Sequence, residues 1–330
     1  MNISCITRPD WFNLDTLKVK PGTGAGGGGI VTKYLSFAKC CPDIHFTDDF
    51  GDENLRTIVI IEPLSIRIKD VVAEKVVGGK MEKLQQHKGI KLLWCEEQTV
   101  FRWSDKVQHI IFNSIDGLIA CNQYQKQLLE KLPCDLPIYT LYTPIDAEIY
   151  YPEEKKRQIV VASKVGLQKN TQAVVKLFEK LPSDIQKVYI GNAEMWGKCT
   201  YEYDKELEKG LARTADTYIK SASPLDTAKY IRESLVGINM SIYDVGSLFF
   251  LESAMAGCHF FAWNYHPMFD EYTTVNRFDN IDDGLPKIID CFEKGTQENN
   301  ALRDEISQKH SFNAFKAQLG NIIQEVFLSG

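Results

Sequence analysis

Short apolar, β-rich runs alternate with segments of helical periodicity along this chain, and the alternation happens twice. The first series is "NISCIT" (2–7), "TIVIIEP" (57–63), "IKLLWCE" (90–96) and "GLIACN" (117–122), the last followed by the helical pattern "QYQKQLLEKL". The second is "QIVVAS" (158–163), "KVYIGN" (187–192), "ADTYIK" (215–220), "LVGINMS" (235–241) and "CHFFAW" (258–263), with the helical "TQAVVKLFEKL" (171–181) after its first member. Continuous apolar runs of this length suit parallel strands buried on both faces. Strand and helix in repeated succession then point to α/β, doubly wound sheets. Between the series lies "LYTPIDAEIYYPEEKKR", whose two prolines and charged end mark a linker. At 330 residues the chain has material for two cores. The expected organisation is two Rossmann-like domains, 1–153 and 154–310, and a terminal helix over 311–330. In that helix Phe312, Phe315, Leu319, Ile322, Ile323 and Phe327 recur at helical spacing. They suit burial on a core, with the N-terminal domain as one candidate.

Composition narrows the classes of partner. The net charge of -6 and pI of about 5.6 give no global basic field toward nucleic acid or anionic lipid. The opening "MNISCITRPDW" has no charged stretch followed by an apolar one, and no apolar run approaches the ~20 residues that span a bilayer. The nine cysteines are scattered, include the adjacent Cys40 and Cys41, and show no CxxC or Cys/His ligand spacing. They read as reduced thiols of a cytoplasmic protein without structural zinc.

The stretch "GTGAGGGGIVTK" contains Gly22-x-Gly24-x-x-Gly27, with Asp48 and Asp49 about twenty residues further on, the spacing of a dinucleotide-binding fingerprint. Such a fingerprint needs a strand running straight into its first glycine. Here Pro21 precedes Gly22, behind the short, charged "KVK". A nicotinamide oxidoreductase is therefore disfavoured, and NADH titration would discriminate it. What survives is the passage from the glycines into "IVTKYLSFA", where Ile30, Val31, Tyr34, Leu35 and Ala38 mark one helix face. Gly28 and Gly29 let a ligand approach the backbone closely, and the helix N-terminus offers N–H groups to an anion. A mobile surface loop is the competing account.

The most informative segment is "SIYDVGSLFFLESAMAGCHFFAW" (241–263). Asp244 and Gly246-Ser247-Leu248 follow a strand and precede the apolar helix "LFFLESAMA", which Gly257 closes. Glu252 stands eight residues after Asp244, which at helical pitch is about two turns. Amides at a helix start suit a phosphate, and a carboxylate suits the paired hydroxyls of a ribose. The alternative is an N-cap aspartate with a buried, paired glutamate.

This segment resembles the E-x7-E region of retaining glycosyltransferases of GT-B fold, which follows an acid-x-x-G-L-x-x-x-E-A-M-A-x-G pattern. Here it reads Asp244, Ser247, Leu248, Glu252, Ser253, Ala254, Met255, Ala256, Gly257, with Asp for the usual first Glu and Ser247 in the usual Gly position. "IVVASKVGLQKNTQAVVKLFEKLP" resembles the family's strand, basic residue, loop, lysine and helix, matched by Lys164 and Lys169. "YIGNAE" is similar to the turn near the nucleotide base, with Gly191 at the turn. The resemblance implies two Rossmann-like domains facing a central cleft. It implies a UDP- or GDP-sugar donor and transfer to a hydroxyl acceptor, a glycan or glycoconjugate, with retention and without a metal. On it, Glu252 binds ribose hydroxyls and Asp244 contacts the transferred sugar. The diphosphate lies on Gly246, Ser247, Leu248, Lys164 and Lys169, with Gly28 and Gly29 closing over it.

"GIVTKYLSF" and "LLWCEEQTVFRW" are also similar to T-even phage DNA α-glucosyltransferases, whose post-strand loop reads hydrophobic, polar, His-Asp-His, with Cys95, Glu96, Glu97 and Gln98 in its place here. That resemblance implies a hydroxymethylated DNA base as an alternative acceptor and a viral setting. Glu97 is the candidate for orienting or deprotonating the acceptor, and Glu96 its rival. The acidic run "DDFGDE" (48–53) reads as a solvated loop. A nucleotide-sugar sensor without transfer activity is a further class, separated by an assay for transfer.

Overall fold

The computed structural model describes residues 2–6, 12–13, 18–19, 29–47, 57–61, 84–95, 100–193, 202–295 and 297–328. Contacts divide the chain into two compact units. One comprises Met1–Lys20, Tyr34–Thr143 and Phe315–Gly330; the other, Pro21–Lys33 and Pro144–Ala314.

In the first unit the elements run β1 (Asn2–Ile6), β2 (Phe12–Asn13), β3 (Lys18–Val19), α1 (Gly29–Cys40, which belongs to this unit from Tyr34 onward), β4 (His45–Thr47), β5 (Thr57–Ile61), β6 (Ile90–Cys95), α2 (Asp105–Phe112), β7 (Gly117–Ala120), α3 (Gln123–Leu129) and β8 (Ile138–Thr140). β2 and β3 form a small antiparallel ladder. The other strands make one parallel sheet in the order β4-β1-β5-β6-β7-β8. β7 is buried at every position, as a strand covered on both faces must be. On α1 the deepest side chain is Phe37, which meets Trp94 of β6 edge to face at 5.4 Å. Ala38 is buried with it, whereas Leu35 is only half-buried.

The second unit holds β9 (Lys156–Ala162), α4 (Thr171–Lys180), β10 (Gln186–Ile190), α5 (Glu202–Thr214), β11 (Thr217–Ile219), α6 (Pro224–Glu233), β12 (Ser234–Asn239), α7 (Leu248–Met255), β13 (His259–Trp263), β14 (Asn276–Phe278), α8 (Ile281–Glu293) and α9 (Asn300–His310). Its parallel sheet has the order β11-β10-β9-β12-β13-β14. β12 is buried throughout, and Val236 and Ile238 share a core with Ile159 and Val161 of β9 and with Val174 and Phe178 of α4. Each such side chain contributes about 1.5–3 kcal/mol by leaving water.

The last helix, α10 (Phe312–Leu328), supplies core to the first unit. The Phe315 ring lies 5.1 Å from Phe37 and 6.2 Å from Trp94, and Leu319 and Ile322 are buried. Gln318 accepts the Tyr142 N–H at 3.0 Å. The buried stripe is narrower than the sequence pattern suggests. Phe327, twelve residues past Phe315 and so about 120° round the helix, is 43% exposed.

Strand order locates the place where a ligand can enter the second sheet. The chain runs outward from β9 to β10 and β11, then returns to the opposite side of β9 with β12 and runs outward again to β13 and β14. The loops leaving β9 and β12 therefore diverge at their carboxyl ends and open a crevice between them, the usual ligand position in doubly wound sheets. The first sheet reverses direction similarly at β1. The residues after β1, β5 and β6 there lie outside the described ones.

Candidate functional site

Three loops meet at the carboxyl end of the second sheet: 163–170 after β9, 240–247 after β12 and 264–266 after β13. Side chains and backbone tie them together. Ile242 N–H donates to the Gln168 carbonyl at 2.9 Å, and the Gln168 side chain donates to the Tyr243 carbonyl at 3.2 Å. The indole N–H of Trp263 donates to the Met240 carbonyl at 2.7 Å. Backbone groups that the strands no longer serve are thus satisfied between loops, as buried polar groups require.

Across the crevice, Lys169 Nζ pairs with Asp244 Oδ2 at 2.7 Å, with side chains 25% and 11% exposed. Asp244 Oδ1 accepts the Gly246 N–H at 3.4 Å. Ser247 then caps α7, its Oγ accepting the Phe250 N–H at 3.3 Å and a hydrogen bond from the Asn239 side chain at 2.9 Å. The first N–H groups of a helix, here those of Leu248 and its neighbours, have no intrahelical acceptor and carry the positive end of the helix dipole. A carboxylate, an ammonium group and a helix N-terminus therefore stand together at the reversal of the sheet.

Glu252 has a different environment. The helix begins only at Leu248, so Glu252 is about one turn into it; the eight-residue spacing from Asp244 is not two helical turns, because half of it is loop. Glu252 is buried, and the Tyr150 hydroxyl donates to its Oε1 at 2.8 Å. Loss of water pushes its carboxyl up to about 7, while the Tyr150 hydrogen bond pulls the other way. Burial, and then the Glu252 charge, push the Tyr150 hydroxyl well above its ordinary value, so it remains the donor. A turn in which Tyr150 N–H reaches the Asp146 carbonyl at 3.0 Å presents this ring, and Arg232 stacks on neighbouring Tyr151 at 4.4 Å. At the other end of α7 the buried Lys155 amine donates to the carbonyls of Ala256 and Arg232.

The other candidates fall out as follows. Lys164 is exposed at the start of the β9 loop. Gly191, after β10, has φ 141°, and a Cβ there would sit 1.9 Å from the Ser163 carbonyl oxygen. Close contact between the β9 and β10 loops accounts for that glycine without any ligand. Gly246 is exposed beside Asp244. Gly29 is the first residue of α1 and groups with the second unit. Gly28, Glu96, Glu97 and Gln98 lie outside the described residues, as do Asp48 and Asp49; Cys95 is buried at the end of β6. Tyr150, Asn239 and His266 escaped the sequence reading. An aromatic pair directly before a linker proline, and a histidine directly before the proline that follows a strand, were the available signals. Among the described residues, no cluster of three or more His, Cys, Asp or Glu side chains could hold a metal ion. No helix there is long and apolar enough to cross a membrane.

No protein-family model and no curated protein matches the sequence. Solved structures match over most of the chain. Sucrose-phosphate synthase from Thermosynechococcus elongatus superposes with a TM-score of 0.72 at 12% identity, covering 100% of both chains. Anabaena HepE in complex with UDP gives 0.69 at 11% identity, covering 98% of this chain and all of HepE. The fold is GT-B. TarM gives 0.62 at 16% identity and covers 89% of this chain, which in turn spans only 57% of TarM. At such identities these likenesses speak to the fold.

Proposed function

We propose that this chain is a retaining glycosyltransferase that moves a sugar from a UDP-sugar to a hydroxyl of a glycan or glycoconjugate. The observation that carries this reading is the meeting of Lys169, Asp244 and the N-terminus of α7 at the carboxyl end of β9 and β12. A fixed cation and a helix N-terminus stabilise the negative charge that grows on a departing diphosphate. UDP is favoured as the nucleotide because HepE has been solved with UDP and glucose, and a trehalose-phosphate synthase of the same fold is UDP-forming.

In this reading the diphosphate lies against the amides of Ser247 and Leu248 and draws Lys169 toward it. Lys164 approaches from the start of the same loop, and Gly28 and Gly29 close over the phosphates. Gly246 leaves room beside Asp244, which takes hydroxyls of the transferred sugar. Gly191 shapes the turn near the base. Glu252 accepts ribose hydroxyls on the oxygen that Tyr150 leaves free. The bond from the anomeric carbon to the diphosphate oxygen breaks, and a bond to the acceptor oxygen forms on the same face. Glu97 takes the acceptor's proton. A glycan acceptor is preferred to a DNA base because a net charge of -6 supplies no attraction to duplex phosphates.

Donor binding and turnover with UDP-glucose, UDP-N-acetylglucosamine and GDP-mannose, with and without chelator, test this reading. Glu252→Ala and Lys169→Ala should each abolish measurable donor binding. Unchanged affinity in both variants would remove the site assignment.

A further inference from the structure

His266 is 3% exposed, and neither of its ring nitrogens has a hydrogen-bond partner. Such a group is uncommon in a folded chain, because a buried polar atom without a partner costs about 1–3 kcal/mol. His310 in the same unit shows the ordinary arrangement: it is equally buried, and its Nε2 meets the Tyr272 hydroxyl at 2.8 Å.

The position of His266 is tightly determined. It ends the loop after β13, the strand hydrogen-bonded to β12, and the Trp263 indole ties that loop to Met240. Arg277 holds the same loop by its carbonyls, with Nε on Trp263 at 3.1 Å and Nη2 on Asn264 and on His266, the last at 3.0 Å. The imidazole packs on Phe269 with ring centroids 5.3 Å apart. The carbonyls of Trp263, Asn264 and His266 are therefore satisfied, and the imidazole is not. Of the charged groups acting on this ring, Asp244 and Lys169 form the ion pair across the crevice, and Arg277 and Asp270 lie on its own side.

We propose that His266 is a ligand-contact residue, a ring nitrogen of which hydrogen-bonds a hydroxyl of the transferred sugar beside Asp244 and Lys169. A sugar hydroxyl, which both donates and accepts, matches a neutral imidazole, which does the same. Burial holds this imidazole below its ordinary titration range, so it is neutral near pH 7 and unsuited to act as a second phosphate-binding cation. The inference rests on the nucleotide-sugar reading above and adds a determinant of which sugar is held.

Calorimetric titration with UDP, UDP-glucose, GDP and GDP-mannose tests it, using the wild-type chain and His266→Phe, which keeps an aromatic ring against Phe269. The variant should lose about tenfold of the preference for nucleotide-sugar over nucleoside diphosphate, with diphosphate affinity and melting temperature unmoved. An unchanged preference, or an equal loss for both ligands, would overturn the assignment while leaving the donor reading intact. Wild-type protein that binds none of the four ligands would sink the donor reading and this inference together. The chain has six histidines, so ¹⁵N-histidine spectra give a second readout on unmutated protein. The His266 ring signal should move with nucleotide-sugar and stay with diphosphate alone. The same movement with both ligands would refute the sugar contact.

Discussion

Asp244 and Glu252 stand eight residues apart on one continuous segment and meet their surroundings in opposite ways. Asp244 belongs to a loop and is as buried as Glu252, but is neutralised by Lys169 from the neighbouring strand connection, whose side chain is 25% exposed. Glu252 is locked into a helix, has a phenol as its hydrogen-bond partner, and is pushed up to about 7 by burial. A buried carboxylate beside a cation has its charge balanced by that partner, whereas a buried carboxyl without one resists ionising. The loop end of the segment is thus suited to exchanging partners when an anion arrives. The helix end is suited to holding one orientation.

Three substitutions break or sharpen that contrast. The largest effect is expected at Glu252. Its folded-state value lies above the ordinary 4.5, so the native chain holds a proton there that the unfolded chain releases. Its contribution to stability is complete below about pH 4.5 and declines as pH rises through about 7. Glu252→Gln keeps an acceptor for Tyr150 and removes the titration. Urea melts should show the variant more stable than the parent at pH 8, by about 3 kcal/mol, and nearly equal at pH 4.5. Equal stability at both pH values would contradict the buried-carboxyl account.

Tyr150→Phe comes next. It deletes a hydrogen bond to a group that is charged at pH 8 and neutral at pH 5. The loss should be about 2 kcal/mol at the higher pH and about 1 kcal/mol at the lower, read from the same melts. The smallest effect belongs to Lys169→Gln, whose amide keeps a donor for the buried Asp244. Its cost in stability should be about 1 kcal/mol, because the charge is lost but not the hydrogen bond. A loss as large as that at Tyr150 would make the two ends of the segment energetically alike.

The central strands were legible because β5, β6, β7, β9, β10, β12 and β13 each carry an unbroken apolar run. Of the four edge strands, three residues apiece, only β11 was legible, within "ADTYIK"; β4, β8 and β14 were not set apart by any apolar run. Within the candidate site the segment 244–257 stood out by its order of residue types. The partners of its acids did not. Tyr150 lies 102 residues from Glu252 and Lys169 lies 75 from Asp244, so only the folded sheet brings them together. The eight residues between the two acids are half loop and half helix, so helical pitch does not set their relative placement. His266 offers only its place before Pro267, and its distinguishing property, an unanswered ring, exists only in three dimensions.

The placement of α10 bears on how the chain is made. Phe315 completes the aromatic cluster of Phe37 and Trp94, so the first unit takes part of its core from the last helix. A ribosome emits that residue only after every strand of the second unit has appeared. The first unit is therefore finished after the second, and Trp94 lacks one neighbouring ring until α10 has emerged. During translation the second unit can close its own sheet ahead of the first, reversing the usual N-to-C order of domain folding.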